Sequence, residues 1–232
     1  ASLASVLAIA TAAAVLARGA IAAVFARGTV EQRKRDPQTD MVTQVLEIAA
    51  GMGDVTTEDV VRALVILVAA GTDTTRLTTS LAAKTLLTHP EEFEALRRNR
   101  DDVKNAVMEL LRFESPTKFL VRIAVEDVVW EGQTIPRGTI VLLSIMGAGW
   151  DPRVFPHPER FDVHRDLKGS LNFGFGAGYC LGVHLARLQV GTLVNFLLDH
   201  LPSTAKVDEA GMRWDPRNLF LREITALPVH VR

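Results

Sequence analysis

With 232 residues, a formal net charge of −1 and 48% hydrophobic against 23% charged residues, the chain can build a packed core and lacks the surplus basicity of a nucleic-acid-binding surface. Its one cysteine excludes an internal disulfide and points to a reducing, cytoplasmic compartment.

The stretch Ala1 to Ala17 carries no charge, and the first basic residue is Arg18. No positive segment precedes it as in a signal peptide, and Ser2, Ser5, Thr11 and many alanines dilute the roughly 20 strongly apolar residues a membrane span needs. A buried alanine-rich helix over Ala4–Arg27, with a weak point at Arg18-Gly19, is the expectation; a membrane or anchor segment is the alternative. The chain opens without a methionine, which leaves open where its natural start lies.

Thr29–Arg35 is polar and basic, and Asp36-Pro37 closes it. Asp40–Ala50 reads as an amphipathic helix stopped by Gly51 and Gly53. Thr56 or Thr57 then caps a long helix with Glu58 and Asp59 in its first turn, running to His89, where Pro90 starts the next. Its apolar run Leu64–Ala70 predicts burial on most sides. Glu91–Asn99 and Asp102–Glu114 are two more amphipathic helices, the second ending at Ser115-Pro116.

The pattern then turns β-rich at Phe119–Val129, Gln133–Ile135 and Thr139–Ser144, with Gly132 and Pro136-Arg137-Gly138 as turns. Asp151–Asn172 is a charged, proline-containing loop. A helix from Val183 to Leu198 ends before Pro202, and strand-like pieces follow at Lys206-Val207, Leu219–Leu221 and Thr225–Val231. No repeat or linker marks a boundary. A single domain is expected, mainly α with small β-sheets: residues 1–55 precede a central helix at 56–89, and 90–232 hold the rest.

Four constellations carry chemistry. Phe173 to Gly182 places Cys180 after Gly174, Gly176 and Gly178 and before Gly182, at the start of a helix. Glycines let the backbone approach a flat ligand, and the unpaired N–H groups and dipole of a helix start favour thiolate, the metal-binding form. Cys180 is therefore a candidate axial ligand for haem iron. In the long helix, Ala70-Gly71-Thr72-Asp73-Thr74-Thr75 sets an acid and hydroxyls into an apolar face, which suits proton delivery or is merely a polar patch. Glu109 and Arg112 lie three apart on one helix face, and Arg160 sits in the later loop. A zinc site lacks thiols, and the glycine run lacks the Lys-Ser or Lys-Thr of a phosphate loop.

In this order the pieces resemble a cytochrome P450 of the soluble bacterial type. The Asp73-Thr74 helix, Glu109-x-x-Arg112, Pro158-Glu159-Arg160-Phe161 and Phe173-Gly-x-Gly-x-x-x-Cys180-x-Gly182 carry the likeness, which extends to Leu227-Pro228-Val229. The resemblance implies a P450-like fold truncated at the N-terminus. It also implies haem b held by the Cys180 thiolate, with Phe173 packed beside it and Arg122 pairing with a propionate. Asp73 and Thr74 would be the acid–alcohol pair that delivers protons, with Ala70 and Gly71 leaving room for oxygen. Glu109, Arg112 and Arg160 would form a buried ionic triad. Leu64, Val65, Val68, Ala69, Phe119, Leu120 and the turn Leu219-Phe220-Leu221 would line an apolar substrate pocket or simply pack the core.

Three departures from the family pattern stand out. Gly178 replaces the usual His or Arg two residues before the cysteine. The usual Asn-Arg-Asp-Pro reads Gly149-Trp150-Asp151-Pro152. Most of the N-terminal half, with the distal lid, is absent, which predicts self-association through uncovered apolar faces.

The function implied is a monooxygenase inserting one oxygen atom from O2 into a hydrophobic small molecule. Electrons would come from a ferredoxin and its reductase, docking at Arg97, Arg98, Arg100, Lys104 and Arg187. The alternatives are a haem-binding or peroxide-using protein without O2 activation, and a non-catalytic remnant. No nucleic-acid or membrane partner is expected.

Overall fold

The computed structural model describes residues 22–231, so the first part of the helix expected over Ala4–Arg27, including Arg18-Gly19, lies outside the described residues. The chain forms two compact units, one ending at Asp73 and the other beginning at Thr74.

The first unit holds helix α1 (residues 22–35), α2 (Met41–Met52) and the opening turns of α3 (Thr57–Thr88). Gly28 does not end α1. The helix continues through the polar stretch to Asp36-Pro37, where the residue before proline is barred from helical angles. Asp40 caps α2, accepting from Thr43 N at 2.9 Å and pairing with Arg33; the Thr43 N–H, then the guanidinium, hold its carboxyl below the usual range. Gly51 lies inside α2, and the stop falls at Gly53 with φ +74°, a left-handed angle that glycine takes without strain. Thr56 and Asp59 cap α3 reciprocally: Asp59 N donates to Thr56 Oγ1 at 3.2 Å and Thr56 N to Asp59 Oδ2 at 3.0 Å.

Val30, Ala49, Val60, Val61 and Leu64 form this unit's core. Within the unit α1 and α2 cover α3 on the side of Val60, Val61 and Leu64, with Leu67 packed partly against it. Burial expected along Leu64–Ala70 is thereby corrected: Leu64 is buried, while Ile66 and Val68 are 65% and 61% exposed.

The second unit packs the remainder of α3 with α4 (Pro90–Arg98), α5 (Val103–Phe113) and α7 (Val183–His200). A single core joins them through Leu86, Phe93, Leu96, Ala106, Leu110, Val190 and Val194, closed by Phe161 and Val163 from the long loop. Phe93 and Leu96 recur on the buried face of α4, and Val103, Val107 and Leu110 on that of α5, as the helical period dictates. Arg97 and Arg100 are not free surface cations. Arg97 Nε donates to Leu198 O at 3.2 Å, and Arg100 pairs with Asp199 at 2.7 Å, tying this region to α7.

Among the described residues the β-structure is four antiparallel ribbons. Strand β1 (Phe119–Ile123) pairs with β4 (Ile140–Ser144), with Arg122 opposite Val141; β2 (Val128–Trp130) pairs with β3 (Gln133–Ile135). Strand β5 (Lys206–Val207) pairs with β8 (Val229–His230), and β6 (Arg213–Trp214) with β7 (Ile224–Ala226). The tail strand expected at Thr225–Val231 is thus two pieces split at Leu227-Pro228. Leu219–Leu221 is a turn with one bridge, Thr117 to Leu221. A short helix α6 (Ile145–Gly149), capped by Ser144 Oγ accepting from Gly147 N at 3.0 Å, follows β4 where the sequence pattern predicts no helix.

Candidate functional site

The deepest polar structure of the second unit is built on α5. Glu109 and Arg112 are fully buried and doubly bonded, Nε to Oε2 at 2.7 Å and Nη2 to Oε1 at 2.8 Å. Such a pair survives burial only if its remaining donors and acceptors are met. Arg112 Nη1 donates to Gly149 O at 2.8 Å and Pro158 O at 2.9 Å, and Nη2 to Arg160 O at 3.1 Å. The third cation is Arg165, whose Nε donates to Glu109 Oε1 at 3.1 Å. Arg165 also binds the carbonyls of Pro156, His157 and Arg160 at 2.6, 3.0 and 2.8 Å.

The triad expected of Glu109, Arg112 and Arg160 is corrected accordingly. Arg160 contributes its carbonyl, while its exposed side chain makes no ion pair among the described residues. The physical reason is reach: Arg160 turns outward, and Arg165 falls where the chain doubles back over Glu109. The guanidinium of Arg112 thus fastens α6 and the 156–165 loop to α5. Gly149 is required there, because a Cβ would stand 2.7 Å from Arg112 O. Trp150, next along, donates Nε1–H to Phe113 O at 3.1 Å and stacks on its ring at 5.3 Å.

This loop leads into the cysteine turn. Cys180 N donates to Phe173 O at 2.8 Å, closing a tight loop in which Tyr179 N meets Gly176 O at 3.0 Å. Gly174 and Gly176 adopt φ of +76° and +68°. A Cβ at Gly174 would crowd Gly178 O at 3.3 Å, whereas one at Gly176 would meet nothing within 4 Å. Cys180 is exposed, as are Phe175 (85%) and Leu181 (82%) beside it. Behind the loop, Phe173 lies between Tyr179, at 6.5 Å between rings, and Arg187, whose guanidinium is 5.7 Å over the Phe173 ring. Arg187 also donates to Met108 Sδ at 3.3 Å, so it braces the loop. Arg122 reaches across from β1, its Nη2 only 3.3 Å from where a Gly178 Cβ would be, and Nη1 donates to Val121 O at 2.9 Å.

This chain has counterparts among known proteins. The family model described as Cytochrome P450 matches residues 18–220. The chain belongs to the cytochrome P450 family. It is 38% identical over 201 residues to the biotin biosynthesis cytochrome P450 of Bacillus subtilis, covering 86% of this chain and 50% of that one. It is 32% identical over 204 residues to 6-deoxyerythronolide B hydroxylase of Saccharopolyspora erythraea, covering 87% and 50%. Among solved structures it resembles P450BioI in complex with a hexadec-9Z-enoic acid-ligated acyl carrier protein, with TM-score 0.82, 36% identity and 92% of this chain against 54% of that. The ligand-free P450 monooxygenase TamI gives TM-score 0.85 at 32% identity, with 97% and 54% covered. The chain therefore spans about half the length of the P450 relatives it matches.

The P450 fold implies haem, and the residues present fit it. A flat apolar macrocycle with an acidic edge needs an open apolar surface, a thiol within it and a cation at its rim. The Phe175–Cys180–Leu181 surface, the glycine at 176 with nothing above it, and Arg122 at the loop's edge supply these. A Cβ at Gly182 would sit 3.9 Å from Sγ, an ordinary van der Waals contact.

The remaining expected residues divide between the units. On α3, Ala69, Ala70, Gly71 and Asp73 are exposed, Val65 and Thr74 are partly buried, and Leu64 belongs to the core of the first unit. Thr72 Oγ1 donates to Val68 O at 2.7 Å, so that hydroxyl is spent on its own helix. Thr75 Oγ1 donates to Gln189 Oε1 at 3.1 Å and links α3 to α7. In the second unit Phe119 and Leu120 lie beside the Leu219-Phe220 turn, which is held by Lys118 N donating to Phe220 O at 2.8 Å. Among the described residues no helix is long and apolar enough to cross a membrane.

Proposed function

We propose that this chain carries the haem-thiolate ligand and the proton-delivery residues of a monooxygenase that inserts one oxygen atom from O2 into a hydrophobic small molecule. The observation that carries the proposal is Cys180, exposed on a glycine-built apolar loop closed by its own N–H to Phe173 O at 2.8 Å. Haem b bound there supplies the activation of dioxygen. The chain's residues do the rest. Cys180 provides the ligand atom, and the loop around it keeps the thiol in one place. Phe173, braced by Arg187, covers the side away from the ligand surface. Arg122 binds an acidic edge. Asp73 and Thr74 hold and pass the two protons that, with two electrons, convert the second oxygen atom to water. Phe119, Leu120, Leu219 and Phe220 offer apolar contact to the substrate.

The electrons come from a ferredoxin and its reductase in a cytoplasmic setting, with exposed Arg98 and Lys104 as cations for an acidic partner. The proposal is tested by reducing the purified, haem-loaded chain under carbon monoxide. A Soret band shifted far to the red is expected; a band in the histidine-ligated position would sink it. Thr74→Ala should lower product formed per electron consumed, and unchanged coupling would remove Thr74 from proton delivery.

A second reading, a haem protein that uses peroxide without activating O2, rests on the same Cys180 loop. Product formed from peroxide but not from O2 and electrons would select it, and failure to bind haem would leave a non-catalytic remnant. The β1–β4 ribbon adds a further consequence. Ile123, Ile140, Leu142 and Leu143 are exposed at 62%, 67%, 48% and 45%, and a two-stranded ribbon with free edges is marginal alone. The chain is expected to self-associate, and sedimentation at low micromolar concentration giving a clean monomer would count against this.

A further inference from the structure

Away from the cysteine loop, the second unit contains a cleft of about 580 Å³ lined by Lys84, His89, Phe113, Glu114, Lys118, Met146, Gly147, Trp150 and Arg222. That size suits a small organic ligand. One wall is apolar: Trp150 stacked on Phe113 with rings 5.3 Å apart, and Met146. The rim carries three cations against one carboxylate. Glu114, 5% exposed, spends one oxygen on Lys84 and the other on Arg222, and both cations also lie over the Trp214 ring, at 5.9 and 5.0 Å. Lys118 is different. Its Nζ donates to a neutral carbonyl, Asn218 O, at 2.8 Å, and the neighbouring acid Asp215 is gripped by Arg217 at 2.8 Å.

We propose that this cleft binds an organic monocarboxylate with an aromatic or short alkyl body, its head on Lys118 and its body against Trp150 and Met146. Lys84 and Arg222 are committed to Glu114, which leaves Lys118, with its neutral carbonyl partner, to match one negative charge. Phosphate or a dianion would leave charge against the apolar wall, which costs more than one cation returns. A neutral apolar molecule would leave Lys118 without gain. Binding here involves neither Cys180 nor haem and does not depend on the monooxygenase reading.

The test is calorimetric titration of the purified chain with phenylbutyrate and, separately, with phenylbutanol, which has the same body and no charge. Saturable binding of the acid is expected, about tenfold tighter than the alcohol, the worth of one charge-assisted hydrogen bond. Lys118→Met should remove that tenfold preference while leaving the alcohol unchanged. Far-UV circular dichroism checks that the variant folds. Should it not, Met146→Glu places a like charge on the wall and is expected to abolish binding of the acid while sparing the alcohol. Equal affinity for acid and alcohol in the parent chain, a tenfold preference for the acid that survives Lys118→Met in a folded variant, or acid binding that survives Met146→Glu, would overturn the proposal.

Discussion

Replacing Arg112 with methionine is expected to destabilise the second unit by about 3–5 kcal/mol, enough to unfold a domain of ordinary stability. The side chain is fully buried and holds both oxygens of Glu109 as well as the carbonyls of Gly149, Pro158 and Arg160. Methionine fills similar volume but donates nothing, so an ionised carboxylate and three carbonyls lose their common partner. Arg165→Met tests the same network from its rim. That guanidinium is 9% exposed and gives Glu109 one bond at 3.1 Å, so a loss of about 1.5–3 kcal/mol is expected. Arg160→Met should stay within about 0.5 kcal/mol, because the carbonyl it contributes is retained and its side chain is at the surface. Urea titration followed by intrinsic fluorescence ranks the three through shifts in midpoint at unchanged slope. If Arg160→Met proved more damaging than Arg165→Met, the assignment of Arg165 as the third cation would fail.

That contrast also marks where the amino-acid sequence stops being legible. Glu109 and Arg112 share a helix, so a three-residue spacing puts them on one face, and the pairing can be read directly. Arg160 and Arg165 lie in an irregular loop, where five residues of separation carry no information about which turns inward. The path of that loop is decided by Glu109 itself, together with the carbonyls that Arg112 and Arg165 collect. Helix limits are readable where the signal is local: the Thr56 cap, Gly53 and Pro90. The short α6 was not, since Ile145-Met-Gly-Ala-Gly149 has two glycines and poor intrinsic helicity, and is held by the Ser144 cap and by Arg112 beneath Gly149. The burial of Leu64–Ala70 was misjudged for another reason. An apolar stretch reports that a face seeks cover; within its own unit Leu64 finds it fully and Leu67 in part. The cluster of Lys84, Glu114, Trp214 and Arg222 is not legible for the same reason as Arg165, since its members are up to 138 residues apart in the sequence.

Changing Cys180 to histidine is expected to abolish thiolate ligation without unfolding the chain. Cys180 is exposed, its side chain makes no hydrogen bond among the described residues, and what the loop needs from this position is the N–H that meets Phe173 O at 2.8 Å, which histidine keeps. The stability of the second unit should therefore change by no more than about 0.5 kcal/mol. The spectroscopic consequence is large by comparison. Sulfur donates electron density that an imidazole nitrogen does not, so the reduced, carbon monoxide-treated variant should show its Soret band in the histidine-ligated position, and oxygen insertion supported by O2 should be lost. Cys180→Ala separates ligand chemistry from loop geometry. It keeps the same backbone bond and opens the same apolar surface, so it should fold as the parent does and bind haem far more weakly. A Cys180→Ala variant that still gave the red-shifted band would exclude Cys180 as the ligand, because among the residues of this chain no other carries a thiol.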